Sequence, residues 1–334
     1  MAELNMKPLE TRGFVVIPGF LSPAEVEYFR GDFDSRKTEE NKNYNLKNAS
    51  SAANNRFALR VNEVLARVRA DTTLRVDAPQ GASYFATGAS TGINFPWHQD
   101  HESFFVLQNH FDYLNFYVPI VKPDPAKSNL SVVPFDVLER ESPRLYQALF
   151  RGGATRFPRI GNRRLAVCDD TGWCHVIERD LELIAETPQL TAGDLLLLRG
   201  DVVHRTQDTL TERVAMSFRV SNDSTVIKRS RLAAGGMHKA LMMANNPGPY
   251  QRMFLAFDKA HRDEVPLHEL KQLMNQVQPR PIERRREFMK LLLREKRRAG
   301  LLSQFVASTS AMYALGKAGK LLGRYQQFRQ RRAG

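Results

Sequence analysis

The sequence predicts a mainly β core with flanking helices and a helical C-terminal extension, on three observations. Short apolar runs bounded by turn residues fill the stretch from about residue 70 to 220. After about Ser230 the pattern turns helical, with Pro247, Pro249, Pro266, Pro279 and Pro281 as punctuation. The length, 334 residues, is enough for one sizeable core plus roughly 100 residues of insertions or extension. Many short strands favour a sandwich or barrel over a parallel α/β sheet.

Taken in order, Thr11 to Phe20 reads as a short buried strand. Ser22 is placed to cap the helix that follows, Pro23 sits at its first position without wasting an N–H, and Glu25 completes a capping box. That helix is expected from Pro23 to about Gly31. Residues 36–56, rich in Asn, Lys and Ser without a period, read as a surface loop. Asn62 to Ala70 looks helical. The strand candidates are Ala82 to Thr87, Tyr113 to Ile120, Leu130 to Pro134, Leu165 to Cys168, Trp173 to Ile177, Leu195 to Leu198 and Arg213 to Val220. Asp169-Asp170-Thr171-Gly172 is a hairpin-turn signal between two of them. The expected division is a β domain over 1–228, with an inserted lid at about 151–185, and a basic helical extension over 229–334.

Hydrophobic residues make up 42% and charged residues 25% of the chain, the balance of an ordinary globular protein rather than a disordered one. The first ten residues carry charge and no long apolar run, so a secretory signal is not expected. With Cys168 and Cys174 as the only cysteines, no disulfide framework is implied, and both read as reduced thiols of a cytosolic protein. The net charge of +13 is concentrated at one end. Residues 280–334 hold 15 Lys and Arg against 3 Glu, leaving 34 positive and 33 negative residues over 1–279. The basicity therefore says little about an active site.

The motif that carries chemistry is His98-Gln99-Asp100, followed 106 positions later by His204. Ferrous iron that activates oxygen needs protein ligands on one face, with the opposite positions left open, and two His with one carboxylate provide this. An H-x-D pair alone arises often by chance. Its context raises its weight: nine residues beyond His204, Arg213 opens an alternating strand that sets Arg213, Ala215, Ser217 and Arg219 on one face. A guanidinium with a hydroxyl on the same face suits a carboxylate held by charge-assisted hydrogen bonds.

Over roughly residues 9–220 the chain resembles the phytanoyl-CoA dioxygenase-like family of Fe(II)/2-oxoglutarate oxygenases. The resemblance rests on G-F-V-V-I-P-G-F-L-S-P-A-E-V at the start, on W-H-Q-D, on Ser128-Asn129-Leu130-Ser131-Val132-Val133-Pro134, and on Ala192-Gly193-Asp194-Leu195 through His204 and Arg213. Within the family, Phe95 to Phe104 is most similar to the ectoine hydroxylase signature. It departs from that signature at Phe104, where a tryptophan is usual, and at Pro134-Phe135-Asp136-Val137, where P-G-S-H is usual. The resemblance implies a double-stranded β-helix (jelly-roll) fold, Fe(II) held by His98, Asp100 and His204, and 2-oxoglutarate with its far carboxylate on Arg213 and Ser217. It also implies O₂ as co-reactant and release of succinate and CO₂. Related halogenases have a small residue at the carboxylate position, so Asp100 points to hydroxylation of a small or conjugated substrate.

Other candidates stand beside these. His101 and Glu102 are alternative ligands; Asn115, Tyr117 and Thr206 lie where they can touch 2-oxoglutarate; Arg219 is the alternative partner of its carboxylate. Arg151, Arg156, Arg159, Arg163 and Arg164 in the insert suit either an anionic substrate or plain solvation, while His110, His175, His238, His261 and His268 show no ligand spacing. In the tail, Phe288, Leu291, Leu292, Ala299 and Leu302 recur at helical steps opposite Lys290, Arg294, Arg297 and Arg298. This face fits a cap packed on the core, attachment to an anionic membrane surface on its cytosolic side, or nucleic acid; no nucleic-acid reading module accompanies it. The alternative functions are accordingly a peripheral membrane hydroxylase of a lipid or lipopolysaccharide sugar, resembling the Kdo 3-hydroxylases, and a non-catalytic binding protein on a degenerate barrel.

Overall fold

The computed structural model describes residues 5–37, 39–41, 44–87, 95–100, 102–149, 154–156, 159–160, 164–169, 174–177, 180–208, 210–279, 285–310 and 313–314. In chain order the elements are α1 (Pro8–Thr11), β1 (Phe14–Ile17), α2 (Pro23–Ser35), β2 (Glu39–Asn41), β3 (Tyr44–Asn48), α3 (Ser51–Asp71), β4 (Ala78–Thr87), β5 (Tyr113–Val121) and β6 (Leu130–Val133). Next come α4 (Phe135–Glu141), α5 (Pro143–Leu149), β7 (Ala154–Arg156), β8 (Arg159–Ile160), β9 (Arg164–Asp169), β10 (Cys174–Ile177), β11 (Leu195–Arg199), β12 (Val203–Thr206) and β13 (Arg213–Ser221). The chain continues through β14 (Val226–Lys228), α6 (Arg229–Ala233), α7 (Met237–Asn245), α8 (Pro247–Ala260), β15 (Glu264–Pro266), α9 (Leu267–Asn275) and α10 (Arg285–Arg298). It folds as two compact units, one of Met1–Asp100, Asn109–Tyr146 and Leu181–Asn222, the other of His101–Gln108, Gln147–Asp180 and Asp223–Gly334.

The first unit is an antiparallel-sheet core with flanking helices. Its main sheet has seven strands in the order β1-β11-β5-β13-β4-β3-β2, and a second ladder pairs β12 with β6. The interior of the main sheet is buried on both faces, because β5, β11 and β13 are almost wholly apolar or enclosed. One face, carrying Tyr84, Phe116, Val118, Leu197, Met216 and Phe218, joins Phe29 of α2 and Phe57, Val61, Leu65 and Val68 of α3 in the hydrophobic core. The other face is different in character. Reading residues directly opposed in the register, it presents Thr87, Phe85, Arg213, Ser217, Arg219, Tyr117 and Asn115. A polar row inside a β core has a use, since burying such groups without partners is costly.

The N-terminal helix forms as its residues dictate. Ser22 accepts from Glu25 N while Glu25 accepts from Ser22 N, with Pro23 in the first turn, and the helix runs one turn beyond Gly31 to Ser35. The Ala192-Gly193-Asp194 turn has a similar logic. Gly193 adopts φ +93°, and a Cβ there would lie 2.8 Å from the Leu21 carbonyl oxygen. Asp194 then takes the Gly19 and Thr191 N–H groups on its two oxygens, which aims β11 into the sheet.

The expected loop at 36–56 is a correction. Its residues supply β2, β3 and the first turn of α3, which begins eleven residues before the predicted Asn62. Ser50 caps α3 by accepting from Ala53 N, and Ala53 and Phe57 start the buried stripe that continues at Val61 and Val64. β3 gains its place by backbone pairing with β4, which side-chain patterning does not report. The predicted strand at Thr11 to Phe20 narrows to Phe14–Ile17.

In the second unit, β9 and β10 pair antiparallel with Cys168 directly opposite Cys174; residues 170–172 of the predicted hairpin turn lie outside the described residues. So do His101, Arg151 and Arg163, as well as the side chains of Arg156, Arg159, Arg164, His175 and His238. The helices α6 to α10 lie within the expected helical extension. In α10, Phe288 and Leu292 are buried as expected, and Glu295 and Lys296 are buried with them. Glu295 makes a two-pronged ion pair with Arg229, at 2.8 and 3.0 Å, and Asp258 takes a third guanidinium N–H at 2.6 Å. Both side chains of the central pair are 5% exposed or less, so removing one partner strands a buried charge. Glu295→Ala is expected to cost about 3–5 kcal/mol, read as a fall in the chemical-denaturation midpoint. The paired replacement Arg229→Met with Glu295→Leu is expected to recover most of that loss. No helix among the described residues is long and apolar enough to cross a membrane.

Candidate metal centre

Backbone pairing brings the two histidines together. His98 N donates to His204 O and His204 N donates to His98 O, both at 2.9 Å, so the two residues form one antiparallel bridge beside the β12–β6 ladder. Directly opposed residues of such a pair project to the same face, and the imidazole centroids are 4.3 Å apart. Asp100, two positions beyond His98, falls on that face because side chains alternate along extended chain. The ligand atoms of His98, Asp100 and His204 all lie within 4.8 Å of one another, and this is the only such group of three among the described residues. His204 Nε2 and Asp100 Oδ1 are separated by 3.9 Å. That is too long for a hydrogen bond but within the span of two ~2.1 Å metal–ligand bonds.

The tautomers follow from the surrounding carbonyls. His98 Nδ1 lies 2.7 Å from Pro96 O and His204 Nδ1 lies 3.0 Å from Val202 O. A carbonyl oxygen only accepts, so each Nδ1 donates, which leaves Nε2 as the atom able to give a lone pair to a metal. Asp100 is oriented by Asn115, whose Nδ2 donates to Oδ2 at 3.2 Å, and Asn115 Oδ1 accepts from Ser217 Oγ at 2.7 Å. Asp100 and His204 are each 5% exposed. Two imidazoles presenting Nε2 and an oriented carboxylate, all approaching from one side, suit a divalent ion with open positions opposite.

No family model matches the chain, and no curated protein does. Solved structures similar to it include HygX from Streptomyces hygroscopicus with nickel and 2-oxoglutarate bound, at 19% identity over 66% of this chain and 87% of that one, TM-score 0.43. The non-heme alpha ketoglutarate dependent carbocyclase SnoK from nogalamycin biosynthesis is 12% identical over 67% and 85%, TM-score 0.44. EctD from S. alaskensis with 2-oxoglutarate and 5-hydroxyectoine is 15% identical over 68% and 80%, TM-score 0.43. Likeness this distant carries neither a reaction nor a substrate to this chain.

The remaining predicted residues divide into two groups. Arg213, Tyr117 and Thr206 are buried polar residues with an atom left over: Arg213 Nε, Tyr117 Oη and Thr206 Oγ1 have no hydrogen-bond partner among the described residues. Arg213 is 2% exposed, gives one N–H to Ser128 O at 2.9 Å, and pairs with no carboxylate among the described residues. Its guanidinium lies 5.5 Å from the Tyr117 ring centroid. Burial pushes the Tyr117 hydroxyl pKa up, and the nearby Arg213 guanidinium opposes that rise. Ser217, expected at a carboxylate beside Arg213, instead gives its proton to Asn115, and Asn115 in turn serves Asp100. These two residues therefore position a ligand. Arg219 is half-buried and pairs in register with Asn115, six residues along the strand from Arg213. Glu102, an alternative ligand, falls outside the three-residue group.

Three supports were invisible in the spacing. Trp97 Nε1 donates to Glu182 Oε1 at 3.0 Å, and Arg205 both pairs with Glu182 at 2.6 Å and lies over the Trp97 ring. Gln99, fully buried, donates to Asp201 O at 2.7 Å. Together they pin the segment 97–100 on both sides of His98. The Trp-His-Gln-Asp run places Trp97 and Gln99 at alternate positions, but it does not name their partners.

Proposed function

We propose that this chain is an Fe(II)- and 2-oxoglutarate-dependent dioxygenase that hydroxylates an unactivated C–H bond of a small or conjugated substrate. One observation supports the reading above the others: a one-sided His98-Asp100-His204 group lies on the same sheet face as a buried arginine that has no carboxylate partner among the described residues. Arg213 is costly in that state, and a dicarboxylic cosubstrate anchored at one end by a metal resolves the cost at its other end. Bound together, iron and 2-oxoglutarate supply an oxidant, so that substrate C–H, O₂ and 2-oxoglutarate become alcohol, succinate and CO₂.

The residues' own tasks follow from their geometry. His98 and His204 offer Nε2 lone pairs whose direction is set by the Pro96 and Val202 carbonyls. Asn115 holds Asp100 so that its second oxygen faces the imidazoles, with Ser217 fixing the Asn115 amide orientation. Arg213, Tyr117 and Thr206 offer buried hydrogen-bonding atoms to an anion. A carboxylate at position 100 fills the ligand place that halogenases leave to chloride, which favours hydroxylation. Succinate release from purified, iron-supplemented protein, screened against candidate substrates, tests the reading; the expected result is release that depends on 2-oxoglutarate and rises with one substrate class. Uniform absence of release across metal-loaded protein, with and without candidates, is the contrary result.

A second reading concerns place of action. Packing consumes the apolar face of α10 and leaves Arg285, Arg286, Lys290, Arg294 and Arg297 exposed, with Leu293, Val306 and Tyr313 also at the surface of the same unit. This supports docking of residues 280–334 on anionic lipid, at ~1 kcal/mol per near-surface cation. Such a site would suit a lipid or lipopolysaccharide-sugar substrate. Full-length protein is expected to float with phosphatidylserine-containing vesicles and to lose flotation when Arg285, Arg286, Lys290 and Arg294 are all changed to Gln; equal flotation of the two removes the idea.

A further inference from the structure

A closed ring of hydrogen bonds joins the turn before β6 to the turn before β13. Asp208 accepts from Ser128 N at 2.6 Å on one oxygen and from Thr211 N at 3.0 Å on the other. Thr87 Oγ1 lies 3.1 Å from Ser128 Oγ and 3.1 Å from Thr211 O, which completes the ring. A carbonyl oxygen only accepts, so the single Thr87 proton goes to Thr211 O and Ser128 Oγ donates to Thr87. Beside the ring the same segments are fastened again, with Asn129 N donating to Gln207 Oε1 and Gln207 N donating to Asn129 O. Ser128 is fully buried and sits at φ +53°, a left-handed conformation that a residue with a Cβ adopts at a cost. The bonds on both sides hold it there.

In this conformation Ser128 O accepts from Arg213 Nη1 at 2.9 Å. One such bond decides which part of the guanidinium fork is left over. The Nε–H points to the same side as Nη2, so a carbonyl on Nη1 leaves the Nε–Nη2 edge, which matches the two oxygens of a carboxylate. Nε is also the buried guanidinium atom that has no hydrogen-bond partner among the described residues. We propose that Asp208, acting through Ser128, is a positioning residue: it fixes the rotation of Arg213 so that Nε and Nη2 meet the far carboxylate of the dicarboxylic cosubstrate side-on. Both Asp208 oxygens serve backbone N–H groups of the two turns, which lets an acidic residue build an anion site without neutralising its cation. This deepens the oxygenase reading and rests on it for the identity of the diacid.

The test is calorimetric titration of Ni(II)-loaded, full-length protein with 2-oxoglutarate. Asp208→Asn keeps the side-chain shape but turns an amide NH₂ toward one of the two N–H groups, and is expected to weaken 2-oxoglutarate binding by about tenfold or more. Ser128→Ala keeps the carbonyl and loses only the proton given to Thr87, so a loss of about threefold is expected. In an Arg213→Gln background both effects should vanish, because no guanidinium remains to be oriented. A role in general stability would instead weaken binding by the same factor in both backgrounds. The proposal is overturned if the variants bind 2-oxoglutarate as tightly as the parent, or if they keep their full effect beside Arg213→Gln. Should Asp208→Asn fail to fold, Ser128→Ala decides alone. A parent protein that takes up no Ni(II) or no 2-oxoglutarate sinks the oxygenase reading and this role together, whereas a parent that binds 2-oxoglutarate beside variants that lose nothing sinks this role only.

Discussion

Alanine at His98 or His204 is expected to weaken divalent-metal binding by at least about 100-fold, and alanine at Asn115 by ~10–100-fold. The size of the first effect follows from the donor count: three protein atoms hold the ion, and losing one leaves a buried two-point site. The second effect is smaller because Asn115 touches Asp100 rather than the ion. Calorimetric titration with Ni(II) or Co(II) in a weak competing chelator measures both. Ser217→Ala is expected to follow Asn115→Ala in direction, because the amide loses the proton that fixes its orientation. Ser217→Thr, which keeps the hydroxyl, is expected to retain more of the affinity. If Ser217 instead gripped the cosubstrate directly, its loss would change 2-oxoglutarate affinity and leave metal affinity unchanged.

Arg213→Gln is expected to raise the dissociation constant for 2-oxoglutarate by ~30-fold or more, since truncating one side of a buried charged pair costs about 2–5 kcal/mol. Metal affinity in the absence of 2-oxoglutarate should change little. The sign on stability is opposite to that on binding. Without an anion the buried guanidinium is an uncompensated charge, so Arg213→Met, which fills similar volume, is expected to raise the melting temperature of the ligand-free protein by a few degrees. The same variant should lose the further stabilisation that 2-oxoglutarate gives the metal-loaded parent. A melting scan with and without the cosubstrate reads both halves; a ligand-free Arg213→Met protein that melts lower than the parent would mean that the arginine is satisfied within the fold.

How much of this was legible depended on whether the determining force is local. The capping box at Ser22 and Glu25 and the apolar runs of β5, β11 and β13 are short-range patterns, and the strands stand where those patterns lie. The stretch 36–56 was misread because β3 is held by main-chain bonds to β4, and main-chain groups are the same in every residue. At the site, the types of the three ligands were readable from His98-Gln99-Asp100 and a distant His204. The bridge that sets their rings side by side was not, since it forms between segments far apart in sequence. Roles turned on register too. The pairing of Asn115 with Arg219, and of Tyr117 with Ser217, decides which polar group serves the carboxylate of Asp100 and which arginine lies at which end. Alternation along β13 put Arg213, Ser217 and Arg219 on one face, but it carried no information about their neighbours on β5.

In the proposed oxygenase, His98, Asp100 and His204 hold one ferrous ion while leaving room for a keto acid. Anaerobic visible spectroscopy on Fe(II)-loaded protein tests it most directly. Adding 2-oxoglutarate to the parent protein should produce a weak charge-transfer band that saturates at one equivalent of iron per chain. The band should be missing from His98→Ala and His204→Ala at the same protein and iron concentrations. A parent protein that develops no band, or a band of full intensity in either variant, would contradict the claim.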